Sequence, residues 1–105
     1  MANSEIFTTI AMALPGTVSA PHFERTAFKV NRIYATLAAD RLSANIKFTP
    51  EEQALKQMVA PEIFEAIDNA WGRQGWTTMW LEPATKEDVQ AALAMAHAHG
   101  AAKRK

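Results

Sequence analysis

Hydrophobic positions change their spacing several times along this chain, and each change marks an element. Ile6, Ile10 and Leu14, with Phe7 beside them, recur at helical intervals. Asn3 or Ser4 can cap that helix, Glu5 suits its first turn, and Pro15-Gly16 stops it. After a short connector, Ala20-Pro21-His22, the period becomes two. Phe28 and Val30 flank Lys29; Ile33, Ala35 and Leu37 alternate with Tyr34 and Thr36; Ala44, Ile46 and Phe48 alternate with Asn45 and Lys47. The pattern predicts strands near 23–30, 32–38 and 43–48. Their links, Asn31-Arg32 and Asp40-Arg41, are short enough to require antiparallel neighbours.

Thr49-Pro50-Glu51-Glu52 begins a second helix: Thr49 caps, Pro50 takes the first helical position and Glu52 can close a capping box. Leu55, Met58 and Val59 are expected to form its buried face up to Pro61. Residues 63–67 fit either a short strand or a helical turn, and residues 76–82 alternate as a strand. Thr85, with Asp88 three residues on, starts the last helix. Val89, Ala92, Leu93 and Ala96 line its inner side and Gly100 is expected to end it. The predicted order is α-β-β-β-α-β-β-α. That order implies an α+β, two-layer domain: one antiparallel five-stranded sheet with helices on one face. Residues 1–100 form the domain, and 101–105 a loose basic tail.

Composition narrows the classes. At 105 residues, 49% hydrophobic and 21% charged, the chain suits one globular domain and not a disordered one. With no cysteine, disulfides, thiolate metal sites and cysteine nucleophiles are excluded. No apolar run approaches the roughly 20 residues of a membrane span, and Glu5 stands where a secretory signal would carry bases. A soluble, cytoplasmic protein without membrane contact is expected. Net charge is zero, which argues against a dedicated duplex-coating protein. Its distribution is uneven: His22 to Lys47 carries five bases and two acids, while Glu51 to Asp68 carries one base and five acids.

The segment Trp71-Gly72-Arg73-Gln74-Gly75-Trp76 joins two indoles and two glycines ahead of the alternating run through Trp80. If helices cover one side of the sheet, Phe28, Val30, Ile33, Leu37, Ile46, Phe48, Met79 and Leu81 point inward. Lys29, Tyr34, Lys47, Trp76, Thr78 and Trp80 then point outward, mixing cations with aromatic rings. A register slip of one residue reverses the assignment and buries Trp76 and Trp80.

Several ordered pieces resemble the MmcQ/YjbR-like family of small bacterial proteins: Leu14-Pro15-Gly16, Pro21-His22-Phe23, Ala27-Phe28-Lys29-Val30 and Ile33-Tyr34-Ala35-Thr36-Leu37. Lys47-Phe48, Thr49-Pro50-Glu51-Glu52, Trp71-Gly72-Arg73 with Gly75-Trp76, and the helix from Thr85 continue the succession over nearly the whole chain. The resemblance implies an α-β-β-β-α-β-β-α fold similar to secretion-chaperone-like proteins. It also implies a DNA-binding label without established catalytic residues. Where family members often carry basic residues on the sheet, this chain has Thr78 and Trp80.

The expected function is therefore non-enzymatic binding of DNA, weakly and with single strands preferred. Lys29, Arg32, Lys47 and Arg73 would meet phosphates while Tyr34, Trp76 and Trp80 stack on bases. The same aromatic surface also suits a protein partner or self-association. A third reading is ordinary packing of the tryptophans beneath a loop or helix. No cofactor or metal is expected. His97 and His99 lie two apart on a helix, on nearly opposite sides, and His22 has no evident nucleophile beside it. Gly72 and Gly75 match neither a dinucleotide nor a Walker spacing and read as a turn. The acids of 51–68 lack a calcium-loop pattern.

Overall fold

The computed structural model describes residues 1–102; the end of the expected tail, residues 103–105, lies outside the described residues. Asn3 caps α1 (Ser4–Ala13), its side chain accepting from the Ile6 N–H. Four strands follow: β1 (Val18–His22), β2 (Arg25–Lys29), β3 (Ile33–Leu37) and β4 (Ser43–Lys47). Next come α2 (Pro50–Val59), β5 (Phe64–Ala66), a single-turn α3 (Ala70–Arg73), β6 (Trp76–Trp80) and α4 (Lys86–Ala101). The capping boxes at Thr49/Glu52 and Thr85/Asp88 both form. Among the described residues no helix is long and apolar enough to cross a membrane.

One antiparallel sheet orders its strands β1-β2-β3-β4-β6-β5. It has six strands, one more than the hydrophobic pattern predicts, and α3 is an extra helix where a turn was expected. The unexpected strand is β1. Every one of its residues is exposed, so burial imposes no alternation on its sequence. Its Pro21 is tolerated because β1 is an edge strand, pairing only with β2. Residues 63–67 resolve as a strand, because β5 finds a partner in β6.

The core lies between the sheet and the helices α1 and α4. Phe7 and Ala11 of α1 and Val89, Ala92, Leu93 and Ala96 of α4 meet Phe28, Ala35, Ile46, Phe48 and Met79 of the sheet. Gly100 does not end α4, which continues to Ala101. A Cβ there would stand 2.8 Å from the Tyr34 ring, so glycine allows the last turn of α4 to close onto β3. The helical spacing in α2 also misleads. Leu55, Met58 and Val59 are exposed, and the buried residue of that helix is Gln53. Its Nε2 donates toward the carbonyls of Gly72 and Trp76 and toward Thr77 Oγ1. The inner side of α2 is thus used to hold the ends of α3 and β6 by polar contacts, and its apolar side faces solvent.

Phasing in β3 differs from the alternation as well. The β2–β3 register shifts between Phe28 and Lys29: Phe28 pairs with Ala35, while Lys29 pairs with Ile33, leaving Tyr34 as the extra residue. Such a bulge lets consecutive side chains share a face. Tyr34 turns under the helices with 0% exposure, and Ile33 turns to the opposite face. Tyr34 is therefore a core residue and not an outward stacking ring.

Candidate nucleic-acid interface

Cross-strand pairing places Thr36, Asn45 and Thr78 side by side on the face away from α1 and α4, with Lys47 beside Trp76 and Ser43 beside Trp80. Arg25 and His22 pair at the end of the β1–β2 hairpin, and Lys29 pairs with Ile33. Trp80 is 41% exposed and Trp76 half-buried, so the phase that sends both indoles outward is the one this sheet adopts.

A groove of about 480 Å³ crosses this face. Thr36, Asn45 and Ile33 contribute its floor. Trp76, Trp71, Ile67 and Asn69 line the β6 side, and His22, Phe23 and Arg25 the β2 side. Its size falls within the range of roughly 300–1,000 Å³ usual for ligand clefts, and its lining is mainly apolar. Asn69 caps α3, its Oδ1 accepting from the Gly72 N–H, and so raises Trp71 at the rim with 61% exposure. The chain leaves α3 through Gly75, at φ +111°, where a Cβ would sit 1.8 Å from the Phe48 carbonyl oxygen. That glycine sets the entry of β6 and hence the position of Trp76.

On the opposite wall, Phe23 is 94% exposed and holds φ of 59°, a left-handed backbone that costs a non-glycine residue about 1–2 kcal/mol. Its ring lies edge-on to His22, with centroids 4.9 Å apart. Arg25 lies across β3: its Nε–H donates to Thr36 Oγ1 at 2.8 Å and its Nη2 to the Thr36 carbonyl at 3.2 Å. Thr36 is consequently buried although it sits on the uncovered face. Burial lowers the Arg25 pKa from its ordinary value, and the negative charge of Asp40 acts in the opposite direction.

The other expected residues divide. Lys29 and Arg73 are exposed, the first on the open face and the second on α3. Lys47 is on the face by register, but its Nζ donates to the carbonyls of Gln74 and Phe48. Burial, and then repulsion from Arg32, lower its pKa, with Glu52 opposing. Its ammonium is thereby engaged in holding the α3–β6 connection. Arg32 stands at the end of α4, where its backbone N–H bonds Gly100 and its Nη2 reaches the Ala102 carbonyl at 3.4 Å. A cation is favoured at a helix C-terminus, so Arg32 serves that helix end. Tyr34 donates to the Ala11 carbonyl and shares a hydrogen bond with Thr17 in the core.

The sequence reading missed Arg25, His22, Phe23, Asn45 and Trp71 as groove residues. Only Trp71 carried a local signal, an indole between a capping Asn69 and a glycine. The others depend on register. His97 bonds the Pro15 carbonyl and His99 bonds Glu52, so both histidines tie α4 to neighbouring segments. Among the described residues no three His, Asp or Glu side chains gather as a metal set.

The model of the YjbR family matches residues 12–99. The chain belongs to the YjbR family. Its fold is also that of a crystal structure of the Deinococcus radiodurans protein DR2400, described as a DUF419 family-model domain. The two share 20% identity with a TM-score of 0.76, over 91% of this chain and 76% of that one. No curated protein matches. In this YjbR chain the groove walls come from segments inside the matched region, so the site belongs to the family domain itself.

Proposed function

We propose that this YjbR protein is a non-enzymatic binder of single-stranded nucleic acid, using the uncovered sheet face. The observation that carries the reading is the groove walled by Trp71 and Trp76 on one side and by Phe23 and His22 on the other. Unpaired bases have planar faces that stack on such rings at about 1–3 kcal/mol per base. Exposed Lys29 and Arg73 supply phosphate attraction. With Lys47 and Arg32 engaged elsewhere, few phosphates are neutralised and binding is weak. For two or three phosphate contacts on a single strand, log K falls against log salt with a slope of about −1.4 to −2.

Titration of single-stranded and duplex oligonucleotides at low salt, read by intrinsic tryptophan fluorescence, tests this. Quenching by single strands, lost in Trp71→Ala and weakened in Arg73→Glu, is expected. No change of emission and no mobility shift at millimolar oligonucleotide would remove the proposal.

A second reading has its own support. The zero net charge and the near-complete exposure of Phe23 suit an aromatic anchor for a protein partner on the same face. Lys29→Glu with Arg73→Glu separates the two: a protein partner anchored on the rings survives both changes, and an oligonucleotide does not.

A further inference from the structure

The Arg25 guanidinium is positioned for recognition in a way that the rest of the groove is not. Two of its five N–H donors, on Nε and Nη2, are used along one side by Thr36. The remaining fork, on Nη1 and the outer Nη2 hydrogen, makes no hydrogen bond to the described residues, and Arg25 lines the groove. Thr36 is itself fixed in the centre of the sheet by pairing to Ala27 and Asn45. The fork is thus held on a rigid strand and loses little freedom on binding.

Building on the reading of the face as a single-strand binder, we propose that Arg25 makes the groove selective for guanine, its free fork donating to O6 and N7 of an unpaired base. Two features favour a base edge over a phosphate, and a third favours guanine over adenine. Arg25 stands among aromatic and apolar groups, which a base plane covers and a phosphate does not. Asp40 acts on Arg25 electrostatically, which opposes a second anion there but tolerates neutral acceptors. The free fork also matches the paired acceptors on the guanine edge, whereas adenine offers a donor beside N7.

The test compares oligothymidine strands carrying one central guanine, adenine, cytosine, inosine or 7-deazaguanine. Guanine and inosine, which share O6 and N7, are expected to bind about five- to tenfold more tightly than the others, the lower end of the range for a bidentate pair. 7-Deazaguanine, lacking N7, should fall toward adenine on the unmodified protein, a measurement needing no variant. Arg25→Gln should erase the preference for guanine and inosine. Thr36→Val, which keeps the charge but removes one anchor, should reduce the preference. Equal binding of all five strands overturns the guanine assignment while leaving the face as a binder. Uniform weakening in Arg25→Gln, with the salt slope reduced by about one, marks a phosphate contact and also overturns it. No binding of any strand removes both this assignment and the reading beneath it.

Discussion

Tyr34 offers the sharpest test of how the sheet is phased, because it is the only tyrosine in the chain. Simple alternation turns it toward solvent; the β3 bulge turns it into the core. In Tyr34→Phe the ring still packs under α4, but the hydroxyl and its 2.8 Å hydrogen bond to Thr17 Oγ1 are lost. The second partner, the Ala11 carbonyl, keeps the Leu14 N–H and loses little. One buried hydrogen bond, with a Thr17 hydroxyl left without its partner, is worth about 1–2 kcal/mol. That corresponds to a melting temperature lower by roughly 5–15 °C for a domain of this size. Burial raises the phenol pKa, and the Thr17 hydrogen bond only partly opposes it. Folding therefore favours the neutral ring. Its contribution is complete below the unfolded value near about 10 and is lost as pH rises through the folded value. The phenolate absorbance should appear late and together with unfolding, and the stability gap between wild type and Tyr34→Phe should close over the same interval. A phenol that titrates at its ordinary value in a folded chain, with a variant within about 0.5 kcal/mol of wild type, would refute the bulge and the phasing built on it.

Other expectations follow from the same geometry. Gly75→Ala places a Cβ against the Phe48 carbonyl at positive φ and should cost about 3 kcal/mol or more in urea unfolding; a loss below about 1 kcal/mol would contradict that close approach. Glu52 is pushed up by burial, but the Thr49 backbone N–H and the His99 ring together hold its pKa below the ordinary value. Its contribution to stability is present above the unfolded pKa and is lost as pH falls through the folded one. Glu52→Gln should thus lie below wild type at neutral pH and converge with it in acid, as followed by thermal melting across pH. Met58→Lys should change stability by no more than about 0.5 kcal/mol, because Met58 faces solvent; a loss of several kcal/mol would show that α2 buries its apolar side.

Much of the architecture was legible because capping and alternation are local. Asn3, Thr49 and Thr85 start their helices through side chains that reach only three residues ahead. Strands β4 and β6 alternate because one side of each is buried against helices. Local signals failed where burial was absent or shared differently. The fully exposed edge strand β1 carries no alternation, and α2 has helical apolar spacing but turns Gln53 inward to satisfy backbone carbonyls.

The sequence by itself determined the starts of α1, α2 and α4 and that Trp76, Thr78 and Trp80 share one face of their strand, since these follow from contacts within a few residues and a period of two; which face that is, the packing of the sheet decided. Only the tertiary structure decided that Tyr34 is core, that Lys47 and Arg32 are committed to carbonyls, and that Arg25 meets Trp71, Phe23 and Asn45 around one groove. Those placements depend on a one-residue bulge and on the cross-strand register. The bulge is set by how β2 and β3 pair across a short turn, and the groove by the register of β4 with the distant β6; the hydrophobic pattern of a single strand encodes neither.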